Sequence, residues 1–239
     1  MNVLKKRYVL RSIIMFLLFI CLINIRTISC SAYNNKEESN KEKIILIDPG
    51  HGGIDGGAVS KNGTLEKGIN LEISKKLKKC LEKKGFKVEM TRTEDKGLYS
   101  DKGKIRDKKN EDLSNRCKMK LTTNCDLFIS IHLNMFTQSQ YHGAQVWYSK
   151  EGESAELAHI VQQNLKRDLD KKNNRQEKCA KGAYKILRCN NSVPSVLVEC
   201  GFLSNSNEEK KLKEDAYQEK IANSLCNSIE EFFKIKTTH

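Results

Sequence analysis

No internal repeat runs through the 239 residues, so neither a solenoid nor an array of small binding modules can be built from them. Nine cysteines are present, yet no two stand at the short spacing of a zinc knuckle, which removes that type of metal site. Acidic residues are missing before Tyr33, whereas Lys5, Lys6, Arg7, Arg11 and Arg26 all fall there. Nor is there a long apolar run: Ile13 to Ile25, interrupted by Asn24, is shorter than the roughly 20 residues of an ordinary spanning helix.

The N-terminal features that remain describe an export signal over residues 1–32. A basic start precedes the apolar run, and Cys30-Ser31-Ala32 follows with small residues where a signal peptidase cuts. The signal can also serve uncleaved as an anchor, and it is the only membrane contact expected. A lipid anchor at Cys30 is the weaker reading, because Thr27 occupies the position where leucine is usual. Export places the rest of the chain outside the cytoplasmic membrane and disfavours nucleic acid as a partner. Five of the 43 basic residues and none of the 30 acidic ones precede Tyr33, so the remainder carries 38 against 30, a net +8. That balance suits an anionic polymer such as cell wall, and equally suits mere solubility. Cys21 and Cys30 fall in the signal; the other seven are expected to be mostly small buried hydrophobes kept as thiols.

Residues 33–42 are polar, without apolar period, and read as a tether to a single domain over 43–236. Within it, strands are expected at Lys43–Ile47, Phe86–Thr91, Leu127–Ile131, Gln145–Tyr148, Ala183–Leu187 and Ser195–Val198. Helices are expected from Glu66 to Gly85, Glu111 to Leu121 with Leu113, Cys117 and Leu121 facing inward, Ala155 to Leu169, and Ala216 to Lys234 with Asp215 as N-cap. Lys96 to Lys109 reads as a mobile surface loop. Strands alternating with helices predict an α/β fold, a mostly parallel twisted sheet of about six strands with helices on both faces.

Three apolar runs end in residues that ligate metals or move protons. Ile44-Ile45-Leu46-Ile47 runs into Asp48-Pro49-Gly50-His51-Gly52-Gly53, Leu127 to Ile131 stops at His132, and Val196-Leu197-Val198 stops at Glu199. At the carboxyl ends of neighbouring parallel strands such residues converge on one crevice. With Glu66 at the start of the following helix, the set is two histidines and two glutamates, the inventory of a zinc hydrolase. Taken singly, His51 could be incidental to a glycine turn, His132 a hydrogen-bonded strand end, and Glu199 a buried ion-pair partner. A buried carboxylate nevertheless requires a cation or a role. Asn134 is a candidate to orient water or substrate, or to cap a turn. Arg92 and Arg116 read equally as structural ion pairs, and His142, His159, Trp147 and Tyr148 as surface or packing residues.

Together, Asp48-Pro49-Gly50-His51-Gly52-Gly53, Leu65-Glu66-Lys67, Met90-Thr91-Arg92, Ser130-Ile131-His132-Leu133-Asn134, Gly143-Ala144-Gln145 and Glu199-Cys200-Gly201-Phe202-Leu203-Ser204-Asn205 resemble the zinc-dependent N-acetylmuramoyl-L-alanine amidases of the amidase 3 family. The resemblance spans about Lys43 to Lys234. It implies that His51, Glu66 and His132 bind Zn2+, that Glu199 is the catalytic carboxylate, and that the bond cut joins the lactyl group of muramic acid to L-alanine in peptidoglycan. Lys96 to Asn110, then Glu111-Asp112-Leu113 and Arg116, and the absence of wall-binding repeats resemble the enzymes that spore formers use in cortex maturation. That likeness implies a site of action in the envelope or forespore intermembrane space, an envelope activator protein, and a polysaccharide deacetylase that completes muramic-δ-lactam formation. Met135 stands where relatives commonly have alanine, and Cys200 where an aliphatic residue is more usual. A vegetative autolysin or a peptidoglycan peptidase using the same metal site, and a non-catalytic wall-binding protein, are the rival readings.

Overall fold

A computed structural model describes Met15, residues 42–190 and residues 192–237. The expected signal lies outside the described residues apart from Met15, and so does the tether apart from Glu42. The chain divides into two units, Met1–Lys41 and Glu42–His239; the second carries the fold. Among the described residues no helix is long and apolar enough to cross a membrane.

Six strands form one sheet: β1 (Ile44–Pro49), β2 (Lys87–Met90), β3 (Leu127–Asn134), β4 (Gln145–Tyr148), β5 (Lys178–Cys179) and β6 (Ser195–Phe202). Their order is β2-β1-β3-β6-β4-β5. All neighbours run parallel except β4 against β6. The central strands are apolar on both faces because both are covered. Six helices lie among the described residues: α1 (Glu66–Lys83), α2 (Ile105–Thr122), α3 (Glu153–Asp168), α4 (Lys185–Arg188), α5 (Ser206–Leu212) and α6 (Asp215–Thr237).

Side chains alternate across the sheet. Ile45, Ile47, Ile129, Ile131 and Val198 pack with Ile73 and Leu77 of α1, Val161 of α3 and Leu225 and Ile229 of α6. Leu46, Phe128 and Leu197 face the other way, toward Cys117 of α2 and Ile186 of α4. Helices therefore cover both faces, as expected. The apolar period of α1 is buried as its spacing requires, and the helix stops before Gly85, whose φ of +85° suits a residue without Cβ.

Several expectations are corrected. The α2 helix starts at Ile105, so the end of the supposed surface loop is helical. Its inward face is Arg116, Cys117 and Lys120, while Leu113 and Leu121 are exposed. Arg116 faces the sheet because it meets buried Asp48 there, 2.6 Å away, and this ion pair sets the helix rotation against the leucines. Ala183 to Leu187 is not a strand: Lys185–Arg188 forms the short α4, while β5 lies earlier. Asp215 is the first residue of α6 rather than its cap. Four of the seven cysteines after Tyr33 are paired, Cys80 with Cys226 between α1 and α6, and Cys117 with Cys189 between α2 and the segment after α4. Cys125, Cys179 and Cys200 are free among the described residues.

Candidate active site

β1 delivers its chain end to the site through an unusual local backbone. His51 has φ +63°, a left-handed conformation that costs a residue with a Cβ about 1 kcal/mol or more. Two buried arginines hold the carbonyls around it. Arg92 donates to Pro49 O and Gly50 O at 2.9 Å each. Arg116 donates to Pro49 O at 2.8 Å and His51 O at 2.7 Å. Arg116 is itself fixed by Asp48 and by Asp112, each at 2.6 Å. Arg116 is thus in ion pairs as the sequence reading had it, whereas Arg92 bonds backbone carbonyls instead, and the structure both serve is the loop that presents His51.

The Glu66 carboxylate sits between the two histidines. Its Oε2 is 3.2 Å from His51 Nε2 and its Oε1 is 3.0 Å from His132 Nδ1. It also accepts hydrogen bonds from the backbone N–H of Ala58 and Leu133 and from Asn70 Nδ2. Burial would raise its pKa, but the hydrogen bonds from His132 and His51 hold it far below the ordinary carboxylate range. His51 Nδ1 is 2.7 Å from Asp55 Oδ2, and Asp55 Oδ1 in turn accepts from Lys109 Nζ at 2.7 Å. Burial would lower the His51 pKa, but Asp55 and Glu66 carry it up to about 9. Space around the rings is made by glycines. A Cβ on Gly50 would lie 2.3 Å from the His132 ring, and one on Gly57 would lie 2.6 Å from Glu66 Oε2.

His51, Glu66 and His132 offer donor atoms that all lie within 4.8 Å of one another, a group that could hold a metal ion. Two imidazoles and one carboxylate, already anchored by Asp55, Asn70 and backbone amides, are the donor types a divalent transition metal takes in an open site.

Glu199 is the register partner of His132 on the adjacent strand, which puts both side chains on the same face of the sheet. It is 8% exposed and its Oε2 has no hydrogen-bond partner among the described residues. Burial pushes its pKa up to about 7, with the facing histidines pulling down and Glu66 pushing further up. Such a carboxyl can take or release a proton near neutrality. A cleft lined by Gly50, His51, Asp55, Lys109, Leu113 and His132 opens the two histidines to solvent.

Asn134 ends β3 and its Oδ1 accepts from Met135 N at 2.8 Å, the local turn contact. Met135 beside it is exposed. His142 and His159 pair on the surface with Asp170 and Glu177, and Trp147 packs against Tyr184. Cys200 is buried, where burial raises its thiol pKa strongly. Asp55, Asn70 and Lys109 were not singled out from sequence. Asp55 had one usable signal, its place four residues after His51 in a glycine-rich loop.

A family model described as N-acetylmuramoyl-L-alanine amidase matches residues 45–231. The germination-specific N-acetylmuramoyl-L-alanine amidase of Bacillus subtilis is 40% identical over 197 residues, covering 81% of each chain. Among solved structures, the CwlD amidase from Clostridioides difficile, determined in complex with the GerS lipoprotein, superposes with a TM-score of 0.79 at 44% identity. That match covers 81% of this chain and all of that one. An N-acetylmuramoyl-L-alanine amidase from Clostridium difficile 630 gives a TM-score of 0.70 at 30% identity, over 81% of this chain and 97% of that one. With the match running from β1 into α6, the chain belongs to the N-acetylmuramoyl-L-alanine amidase family.

Proposed function

We propose that this chain hydrolyses the amide between the lactyl group of N-acetylmuramic acid and L-alanine in peptidoglycan, through a domain spanning residues 43–236. In this reading His51, Glu66 and His132 hold Zn2+, and Glu199 is the proton carrier. The observation that carries it is the unpartnered Oε2 of Glu199, on the strand next to His132 and on the same face. When bound, zinc supplies a Lewis acid that polarises the scissile carbonyl and acidifies water.

The remaining work falls to the protein. Glu199 takes the proton released by the attacking water and hands it to the departing alanine nitrogen. Its burial and lack of a partner keep it basic enough for the first transfer and acidic enough for the second. Asp55 fixes His51 with Nε2 turned toward the site. Arg92 and Arg116 keep the His51 backbone in its left-handed turn, and Asn134 at the rim is assigned to substrate contact.

The likeness to the germination-specific relative supports a role in spore cortex maturation. There the product lacking its side peptide would pass to a polysaccharide deacetylase on the way to muramic-δ-lactam. The GerS lipoprotein held by the C. difficile relative supports an envelope protein partner for this chain, which acts after export across the cytoplasmic membrane. Digestion of purified peptidoglycan with the zinc-loaded protein tests the reading. Free L-alanine amino termini on released stem peptides, identified by mass spectrometry, are expected. Cleavage only within the stem would make the chain a peptidase, and binding without cleavage a wall-binding protein.

A further inference from the structure

The sheet register extends the site beyond Glu199. His132 pairs with Glu199 and Glu199 with Gln145 of β4, so these three side chains stand in a row on one face. Gln145 is buried, and its amide is fixed in direction: Nε2 donates to Gln176 O at 2.9 Å, which turns Oε1 to Arg175 Nη1 at 3.2 Å. Arg175 Nε donates to His142 O at 2.9 Å. Its guanidinium lies 4.4 Å from the Phe202 ring centre and 5.7 Å from that of Tyr141. Among the described residues no carboxylate forms an ion pair with it. The result is a half-buried guanidinium, oriented by two hydrogen bonds and two rings, which feels the charge of Glu208 but makes no direct ion pair among the described residues. A planar fork of donors in that state is a carboxylate receptor.

The substrate proposed above carries a matching group. After L-alanine the stem continues with D-glutamate joined through its γ-carboxyl, which leaves its α-carboxylate free. In an extended peptide that carboxylate lies about two residues, roughly 7 Å, from the scissile carbon. Directly opposed residues on neighbouring strands have Cβ atoms about 5 Å apart. Arg175 is one hydrogen bond beyond Gln145, so it continues the row that runs from His132 through Glu199 and Gln145.

We propose that Arg175, presented by Gln145 and bracketed by Phe202 and Tyr141, is a specificity-determining residue that binds the α-carboxylate of the stem-peptide D-glutamate. This rests on the amidase reading of the same site. It makes the enzyme a reader of peptidoglycan whose D-glutamate is not amidated.

The test compares muramyl-L-alanyl-D-glutamate with its α-amide, muramyl-L-alanyl-D-isoglutamine, on the zinc-loaded protein and on Arg175→Gln and Arg175→Lys. The unaltered protein should prefer the acid by about tenfold or more. Arg175→Gln should lose kcat/KM on the acid alone, about 10- to 100-fold, while Arg175→Lys retains part of the preference. Equal losses on both substrates would reduce Arg175 to a structural role, and no loss would remove it from the site. Calorimetry with the dipeptides L-alanyl-D-glutamate and L-alanyl-D-isoglutamine separates this idea from the amidase reading. Arg175-dependent preference for the acid dipeptide without any turnover would sink the reaction and keep the receptor. Turnover with equal affinity for both dipeptides would do the reverse.

Discussion

The Asp55 carboxylate meets His51 Nδ1 at 2.7 Å and Lys109 Nζ at 2.7 Å, so one histidine of the group that could hold a metal is oriented by a residue that α2 also grips. This fixes which ring nitrogen faces Glu66. Asp55→Ala should weaken zinc binding by about 10- to 100-fold, with Lys109→Ala giving a smaller loss because that contact is more exposed. Competition with a chromophoric chelator measures both. Unchanged affinity in the Asp55 variant would detach it from the metal site.

Asp48 predicts an acid limb to stability. Burial raises its pKa, but the Arg116 charge and the hydroxyls of Ser130 and Thr91 outweigh that and hold it at about 2, against about 3.9 in an unfolded chain. The folded state therefore binds fewer protons between these values. Its stabilisation, on the order of 2 kcal/mol, is fully present above about pH 4 and is lost as pH falls through 2. Unfolding midpoints measured from pH 2 to 5 should flatten in Asp48→Asn. Arg116→Met, which leaves the carboxylate buried and unpaired, should cost about 3–5 kcal/mol at neutral pH. A slope shared by Asp48→Asn and the unaltered protein would assign the acid limb to other groups.

Of the seven cysteines after Tyr33, denatured but unreduced protein should alkylate only at Cys125, Cys179 and Cys200. Replacing Cys80 and Cys226 by serine opens a link between residues 146 apart and should lower stability by about 2–5 kcal/mol. Alkylating the native protein should leave zinc content and turnover largely intact, since no thiol serves the reaction. Seven reactive thiols would remove the disulfides from the account.

The site was legible where single polar residues interrupt apolar strands. His132 and Glu199 each end a run that a parallel sheet must bury, and the strand register makes them neighbours. Glu66 was legible as the first residue of a strongly periodic helix. Asp55 was not, because a glycine-rich loop has no period to show which side chains converge. The rotation of α2 was misread for a related reason: the leucines carry the hydrophobic signal, whereas Arg116 carries the ion pair with Asp48. The disulfides join residues 146 and 72 apart, a separation over which spacing conveys no partner. Ala183 to Leu187 is short and apolar, and such a segment fits a strand or a buried helical turn equally well.

The proposed division of labour between the two glutamates is tested most directly by metal content and amide cleavage measured on Glu66→Gln and Glu199→Gln. Glu66→Gln removes the anion that both histidines face and should lose zinc together with activity. Glu199→Gln leaves the three donors in place, so zinc should stay while turnover falls by roughly 10² to 10⁴ fold. Zinc lost from the Glu199 variant and kept by the Glu66 variant would contradict the assignment of ligand and proton carrier.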